Sequence, residues 1–230
     1  MSVRVENLSY RVKGKEILSN VSFSLECGHI TLFVGKSGSG KTTLLRTLVG
    51  LAKPSEGKIF MDKESSPALV FQQPELFPHM TVLENCVHPQ VHVKKASPQE
   101  AKDSAYELLI TLGIENLGDS YPSQLSGGQK QRVAIVRSLC MGKRTLLFDE
   151  PTSALDPFST AAFKSLLEEL KAQDLAIGIS THDIPFVQSS LDRIYLIEQG
   201  KILGAYDSCE GALHREHPIF QYLEAARLLH

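Results

Sequence analysis

The chain has 230 residues, 42% of them hydrophobic, and a formal net charge of −2. That length suits one large α/β domain with a substantial core, and the near-neutral charge argues against nucleic acid or an anionic membrane as a general partner. No apolar run approaches the ~20 residues needed to span a bilayer, and the opening stretch MSVRVENLSYRVKGK carries no apolar signal core.

Taken in chain order, Val3, Val5 and Leu8, then Val21, Phe23 and Leu25, alternate as strands do. ITLFV at 30–34 predicts a buried strand. It runs into GKSGSGKT at 35–42, which fits G-x-x-x-x-G-K-[ST] with Gly35, Gly40, Lys41 and Thr42 at the fixed positions and Gly38 as a further glycine. Glycines let successive N–H groups face anionic oxygens with no Cβ in the way. Lys41 brings a point charge for terminal phosphates, and the Thr42 hydroxyl suits Mg²⁺. Residues 42–49 predict a helix with Leu44, Leu45, Leu48 and Val49 on one face, so a phosphate would meet a helix N-terminus. The plain alternative, an ordinary Gly/Ser turn, does not explain a strand entering and a helix leaving.

GKIFM at 57–61 and ALVF at 68–71 predict further strands. After Gln73 the chain turns to helix and loop. The stretch PELFPHMTVLEN at 74–85 is rich in apolar residues and is a candidate dock; the plain alternative is that it closes the core. His88 and His92 are four apart, but Pro89 weakens a helix between them and no acid or cysteine completes a metal set. Ser97, Pro98 and Glu100 form a capping box for a helix carrying Ala101, Ala105, Leu108, Leu109 and Leu112, which Gly113 ends. LSGGQKQR at 125–132 opens another helix, with Val133, Ala134, Ile135, Val136 and Leu139 behind it. Its N-terminus is a second place able to face an anion.

TLLF at 145–148 predicts a buried strand ending in Asp149-Glu150-Pro151. Two acids there are costly unless a cation meets them, and ligands of open α/β sheets bind at the carboxyl ends of strands. Asp149 is therefore expected in the Mg²⁺ shell. Glu150, next along the strand and pointing elsewhere, is the candidate to orient and deprotonate the attacking water. A helix at 158–170, a strand at 176–180, a short helix at 184–191, a hairpin with Gln199-Gly200 at its turn, and an amphipathic helix at 220–229 complete the pattern. Cys27, Cys86, Cys140 and Cys209 are scattered and read as ordinary reduced residues.

With these residues in view, the chain resembles the ATP-binding subunit of an ABC transporter. The resemblance is carried by Tyr10, the loop at 35–42, VFQQ at 70–73, LSGGQ at 125–129, LLFDEP at 146–151, SALD at 153–156 and STHD at 180–183, in the family's order. It implies a P-loop NTPase fold, RecA-like: a parallel-sheet core with an N-terminal antiparallel β part and an inserted α-helical subdomain. The expected division is core 1–73 and 142–230, with the helical subdomain at 74–141. It also implies ATP and Mg²⁺ as ligands. Gly35, Lys36, Ser37, Gly38, Ser39, Gly40, Lys41, Thr42 and Thr43 would hold the phosphates, and Tyr10 would stack on adenine. Thr42, Asp149 and Gln72 would serve the metal, with Gln72, rather than Gln73, fitting the family pattern better. Glu150, His182 and Gln72 would be catalytic. Ser126, Gly127, Gly128 and Gln129 would reach the γ-phosphate held by a second subunit, and Asp156 would lie at the interface between the two.

The partners so implied are a second ATP-binding subunit in a homodimer, a transmembrane permease and, through it, an extracytoplasmic solute-binding protein. They would set the chain on the cytoplasmic face of the membrane. FQQPELFPHMTVLEN and LFDEPTSALDP are most similar to the bacterial polar amino-acid importer group. A transporter of another solute, or a soluble ABC ATPase acting in complex assembly such as metal-cluster biogenesis, is the alternative. A DNA-repair member would carry a long coiled coil between loop and signature, and that stretch has no sustained heptads.

Overall fold

The computed structural model describes residues 3–61, 66–71, 75–153, 155–188 and 192–227. β1 (Val3–Val12), β2 (Lys15–Leu25) and β4 (Glu56–Met61) form an antiparallel sheet in the order β2-β1-β4. β3 (His29–Val34), β5 (Ala68–Val70), β6 (Thr145–Asp149), β7 (Ala176–Thr181), β8 (Arg193–Glu198) and β9 (Lys201–Asp207) form a second sheet, ordered β5-β6-β7-β3-β8-β9. Its pairings are parallel except for the β8–β9 hairpin. That hairpin turns on Gln199 and Gly200, both at positive φ, as a tight two-residue connection requires.

The helices are α1 (Lys41–Leu48), α2 (Val82–Pro89), α3 (Pro98–Thr111), α4 (Gly127–Cys140), α5 (Pro157–Ala172), α6 (Ile184–Gln188) and α7 (Pro218–Arg227). The 184–191 helix of the sequence reading is observed to Gln188, and its last residues lie outside those described. α2, α3 and α4 follow one another between β5 and β6 and pack together. Both predicted helix starts carry full capping boxes: Ser97 with Glu100, and Ser126 with Gln129. Each box satisfies two N–H groups that the first turn would otherwise leave bare.

Two apolar clusters hold the layers together. One packs Leu44, Leu45 and Leu48 of α1 and inward residues of β1 and β2 against Phe33, Leu147 and Ile197 of the large sheet. The Phe23 ring meets Phe33 edge-on at 4.9 Å, a favoured aromatic geometry. The other covers the opposite face with α4, α5 and α6. β3, β6 and β7 have almost no exposed residue, as expected for parallel strands covered on both sides. β3 and β6, far apart in sequence, both pair in parallel with β7, so their carboxyl ends flank that of β7 on one edge of the sheet.

The π-helical turn Gln90–Lys94 continues α2 past Pro89. The proline was expected to weaken a helix here, yet the winding persists and brings the His88 and His92 rings to 4.1 Å. Among the described residues no group of three or more His, Cys, Asp or Glu could hold a metal.

An ion-pair network pins the start of β8 to its neighbours. Arg193 donates to Asp207 of β9 at 2.8 Å and to Glu26 beyond β2 at 2.9 Å. Asp207 also accepts from the Cys209 thiol and N–H. Those donors, the thiol first and then Arg193, hold the Asp207 carboxyl at about 2, below its ordinary 3.8. A depressed carboxyl pKa stabilises the fold above the ordinary value, and this contribution fades as pH falls from about 3.8 through about 2. Acid unfolding followed by circular dichroism should therefore be shallower over that interval in Asp207→Asn, which should also be less stable at neutral pH. Superimposable acid profiles for the two proteins would contradict this.

Candidate functional site

The site is built where β3 gives way to α1. Gly35 is buried, and a Cβ there would lie 2.1 Å from the Ile197 carbonyl oxygen, so only glycine lets the loop pass the β8–β9 hairpin. Gly40 takes φ 109° and caps α1 with no side chain, a conformation that glycine adopts cheaply. The first turn of α1 therefore presents bare N–H groups. Ser39 is buried inside the loop, and its hydroxyl has no hydrogen-bond partner among the described residues. Lys36, Ser37 and Gly38 lie exposed on the outside of the loop, and Thr43 is half-buried one residue along α1.

Lys41 is only 4% exposed. Its ammonium donates to the carbonyls of Gly35 at 2.7 Å and Lys36 at 3.1 Å, and Glu150 Oε1 stands 3.8 Å away. Burial lowers its pKa, while the charges of Glu150 and Asp149 oppose that shift. An ammonium this deep needs anionic company. The Thr42 hydroxyl donates to Asp149 Oδ1 at 3.0 Å, and Ser180 donates to the same oxygen at 2.6 Å. Hydroxyl and carboxylate oxygens together make a hard donor set of the kind Mg²⁺ takes. Thr42 and Asp149 thus fit the ion, and the buried lysine, bare helix end and unsatisfied Ser39 hydroxyl fit a phosphate.

Glu150 departs from the sequence expectation. It does not continue the strand, because β6 ends at Asp149 and Glu150 takes φ 49°. That left-handed conformation is unfavourable for a residue with a Cβ and persists only where neighbours enforce it. Here the Glu150 N–H donates to the Ser180 carbonyl at 3.0 Å and hydroxyl at 3.1 Å, and the Ser153 hydroxyl donates to the Glu150 carbonyl at 3.0 Å. The bend aims the carboxylate at Lys41 on one side and at His182 on the other, whose Nδ1 is 3.2 Å from Glu150 Oε2.

Ser180 was not singled out from the sequence. Its registration opposite Asp149 on β7 lets one hydroxyl serve both acids. The available signal was a serine near the end of an otherwise apolar strand, AIGIST.

Tyr10 sits on β1 opposite Leu18, half-buried, and Leu18 Cδ2 would lie 3.0 Å from a Cβ on Gly40. The tyrosine strand is thereby placed beside the phosphate loop. Gln72, with Gln73 and Pro74, lies outside the described residues. Ser126, Gly127 and Gly128 are exposed, and the Ser126 and Gln129 side chains close their own capping box at 2.8 and 3.3 Å. Asp156 caps α5, accepting from the N–H groups of Phe158 and Ser159 and from the Ser159 hydroxyl. α4 and α5 share a cleft of about 100 Å³ lined in part by Gly128, Leu155 and Ser159. The structure thus brings together Lys41, Thr42, Asp149, Glu150 and His182. Among the described residues, no hydrogen bond or ion pair joins 126–129 or Asp156 to them.

Comparison with known proteins identifies the family. The family described as ABC transporter matches residues 18–153. The arginine transport ATP-binding protein ArtM of Bacillus subtilis is 41% identical over 214 residues, 87% of this chain and 89% of that protein. Arginine transport ATP-binding protein ArtP of Haemophilus influenzae is 38% identical, covering 91% of this chain and 95% of its own length. Glutamine transport ATP-binding protein GlnQ of Escherichia coli is 36% identical over 87% of this chain and 89% of its own. Among solved structures, cbiO1 from Clostridium perfringens, part of the transporter complex cbiONQ, superposes with a TM-score of 0.83 at 30% identity, over 99% of this chain and 93% of that one. The dimeric ATP-binding cassette MJ0796 with ADP and phosphate superposes at 0.74 and 30% identity, over 89% of this chain and 98% of that one. With the loop, the paired acids and the signature all in place on a shared fold, the chain belongs to the ABC transporter family, as one of its ATP-hydrolysing subunits.

Proposed function

We propose that this chain powers the import of a polar amino acid by closing and reopening, as a homodimer, around ATP. The single observation that carries the chemistry is the convergence of Lys41, Thr42, Asp149, Glu150 and His182 at the neighbouring ends of β3, β6 and β7. The amino-acid cargo rests on relatives named for arginine, glutamine and glutamate/aspartate; the membrane partner and the solute-binding protein would choose among solutes.

Thr42 and Asp149 would hold Mg²⁺, which when bound neutralises phosphate charge. Lys41 exchanges its loop carbonyls for phosphate oxygens, and the α1 N-terminus adds its N–H groups. Glu150 accepts the proton of the attacking water. His182 holds the Glu150 carboxylate from the far side and lies within reach of the terminal phosphate. Tyr10 would stack on the base, and Gln72, which lies outside the described residues, would serve the metal. The bare glycines supply the argument for a second copy. Gly127 and Gly128 open α4, where glycine is a weaker helix former than alanine. A Cβ at either position would meet nothing within 4 Å in this chain. Their own fold does not require them, whereas a backbone that approaches a phosphate on a neighbouring copy does. Two-fold pairing gives each site one phosphate loop and one signature helix, with Asp156 at the seam. The helices α2, α3 and α4 move against the sheets as the subdomain 74–141.

The membrane dock lies on that subdomain's flank. A cleft of about 540 Å³ is lined by Phe71, Leu76, Phe77, Pro89, Arg137 and Met141, among others. Asn85, fully buried, holds the turn above it by bonding Phe77, Met80 and Thr81 backbone groups. Phe77 stays 41% exposed under the Arg137 guanidinium, which lies 5.8 Å from its ring. Among the described residues no helix is long and apolar enough to cross a membrane. Permease helices seated in this cleft would hold the chain at the cytoplasmic face.

Glu150→Gln should lower ATP turnover by roughly 10²–10⁴-fold, the usual worth of a positioned base, while nucleotide binding persists; equal steady-state rates would remove Glu150 from the role. Phe77→Asp should leave the ATPase of the isolated subunit in place and abolish co-purification with the permease; full assembly of that variant would contradict the dock.

A further inference from the structure

β7 is apolar until Ser180 and Thr181, and both of these are buried. A buried hydroxyl is costly unless it is bonded. Thr181 uses its hydroxyl locally, accepting from the Asp183 N–H at 3.0 Å in the turn that carries His182. Ser180 uses its hydroxyl across the sheet. It donates to Asp149 Oδ1 at 2.6 Å and accepts from the Glu150 N–H at 3.1 Å. A hydroxyl has one proton to give. With that proton committed to Asp149, only lone pairs face Glu150, so each bond fixes the direction of the other. A chain running from N–H through O–H to carboxylate is polarised in one sense, which strengthens both links.

Both ends of this chain reach groups that matter. On the Asp149 side, Thr42 and Ser180 donate to the same Oδ1, and among the described residues no hydrogen bond is made to Oδ2. Two donors on one oxygen set the rotation of the carboxylate and turn the other oxygen to an ion. On the Glu150 side, the N–H is shared between the hydroxyl and the carbonyl of Ser180. Glu150 is the residue whose φ of 49° needs enforcing. His182 meets its carboxylate, so β7 and the turn after it hold Glu150 by both backbone and side chain. We infer that Ser180 is a positioning residue, whose one oxygen atom sets the metal-binding carboxylate and the base together. This role rests on the tasks proposed above for Asp149 and Glu150.

The test compares the wild-type chain with Ser180→Ala and Ser180→Thr. Alanine removes the hydroxyl and keeps the carbonyl that Glu150 also uses, so the fold should persist. Threonine keeps the hydroxyl on a residue suited to a strand. ADP binding is measured by calorimetry in Mg²⁺ and in EDTA, which needs no turnover, and ATP hydrolysis is measured separately. The wild-type chain should bind ADP more tightly with Mg²⁺. In Ser180→Ala the Kd with Mg²⁺ should rise about tenfold, towards the EDTA value, which is the scale of a hydrogen bond to a charged group. Its Kd in EDTA should stay within about twofold of wild type. Its kcat should fall roughly 10–10²-fold, as expected of a misplaced reacting group, and Ser180→Thr should restore both quantities. The role is overturned if either the Mg²⁺-dependent affinity or kcat is unchanged in Ser180→Ala. It is equally overturned if affinity falls alike with and without Mg²⁺, the mark of a serine that only supports the fold. If the extra methyl of threonine does not fit, the alanine measurements decide alone. A wild-type chain with no Mg²⁺ effect on ADP binding, or a Glu150→Gln chain with full turnover, would instead remove the tasks of Asp149 and Glu150, and this role with them.

Discussion

A lysine ammonium left only 4% exposed must be met by opposite charge, and much of this molecule's architecture follows from meeting it. Burial lowers the pKa of Lys41, and the charges of Glu150 and Asp149 oppose that shift. They can do so because β3 and β6 both pair with β7 in parallel, so a loop leaving one strand and a carboxylate ending the other share one edge of the sheet. The apolar interior of the sheet, closed by α1 on one face and by α4 and α5 on the other, keeps those ends aligned. The energy of apolar burial is thereby used to hold an ion cluster that would otherwise be unfavourable.

The cluster is also where local strain is concentrated. Glu150 takes a left-handed backbone that its neighbours enforce through the Ser180 and Ser153 contacts. Strain of this kind costs on the order of 1–3 kcal/mol and collects where geometry matters more than stability. Its consequence is directional: a carboxylate that would have pointed away along the strand is turned to stand between Lys41 and His182. Orienting the base and binding the phosphate are therefore one structural problem with one solution.

Much of this was legible in the sequence because it depends on neighbours along the chain. The loop at 35–42, the capping box at Ser97, the helix that opens at Ser126 and the alternation of β1 and β2 are local patterns, and they appear in the structure where those patterns put them. What was not legible depends on register between distant segments. Nothing within AIGIST says that Ser180 lies opposite Asp149, and nothing in FDEP says that the chain bends at Glu150. Pro89 misled in the other direction: a proline in a helix usually interrupts it, but here the chain winds on through a π-helical turn.

The central element is the second copy, since among the described residues no hydrogen bond or ion pair joins the start of the signature helix to the phosphate loop within one chain. Its direct measurement is site-specific crosslinking between residue 126 of one copy and the 35–42 loop of another, using Ser126→Cys and Ser37→Cys on the slowed Glu150→Gln background. The account predicts an intermolecular link that forms with ATP and Mg²⁺ and is lost with ADP. Absence of that link, in a protein whose wild-type monomer hydrolyses ATP at full rate, would contradict it.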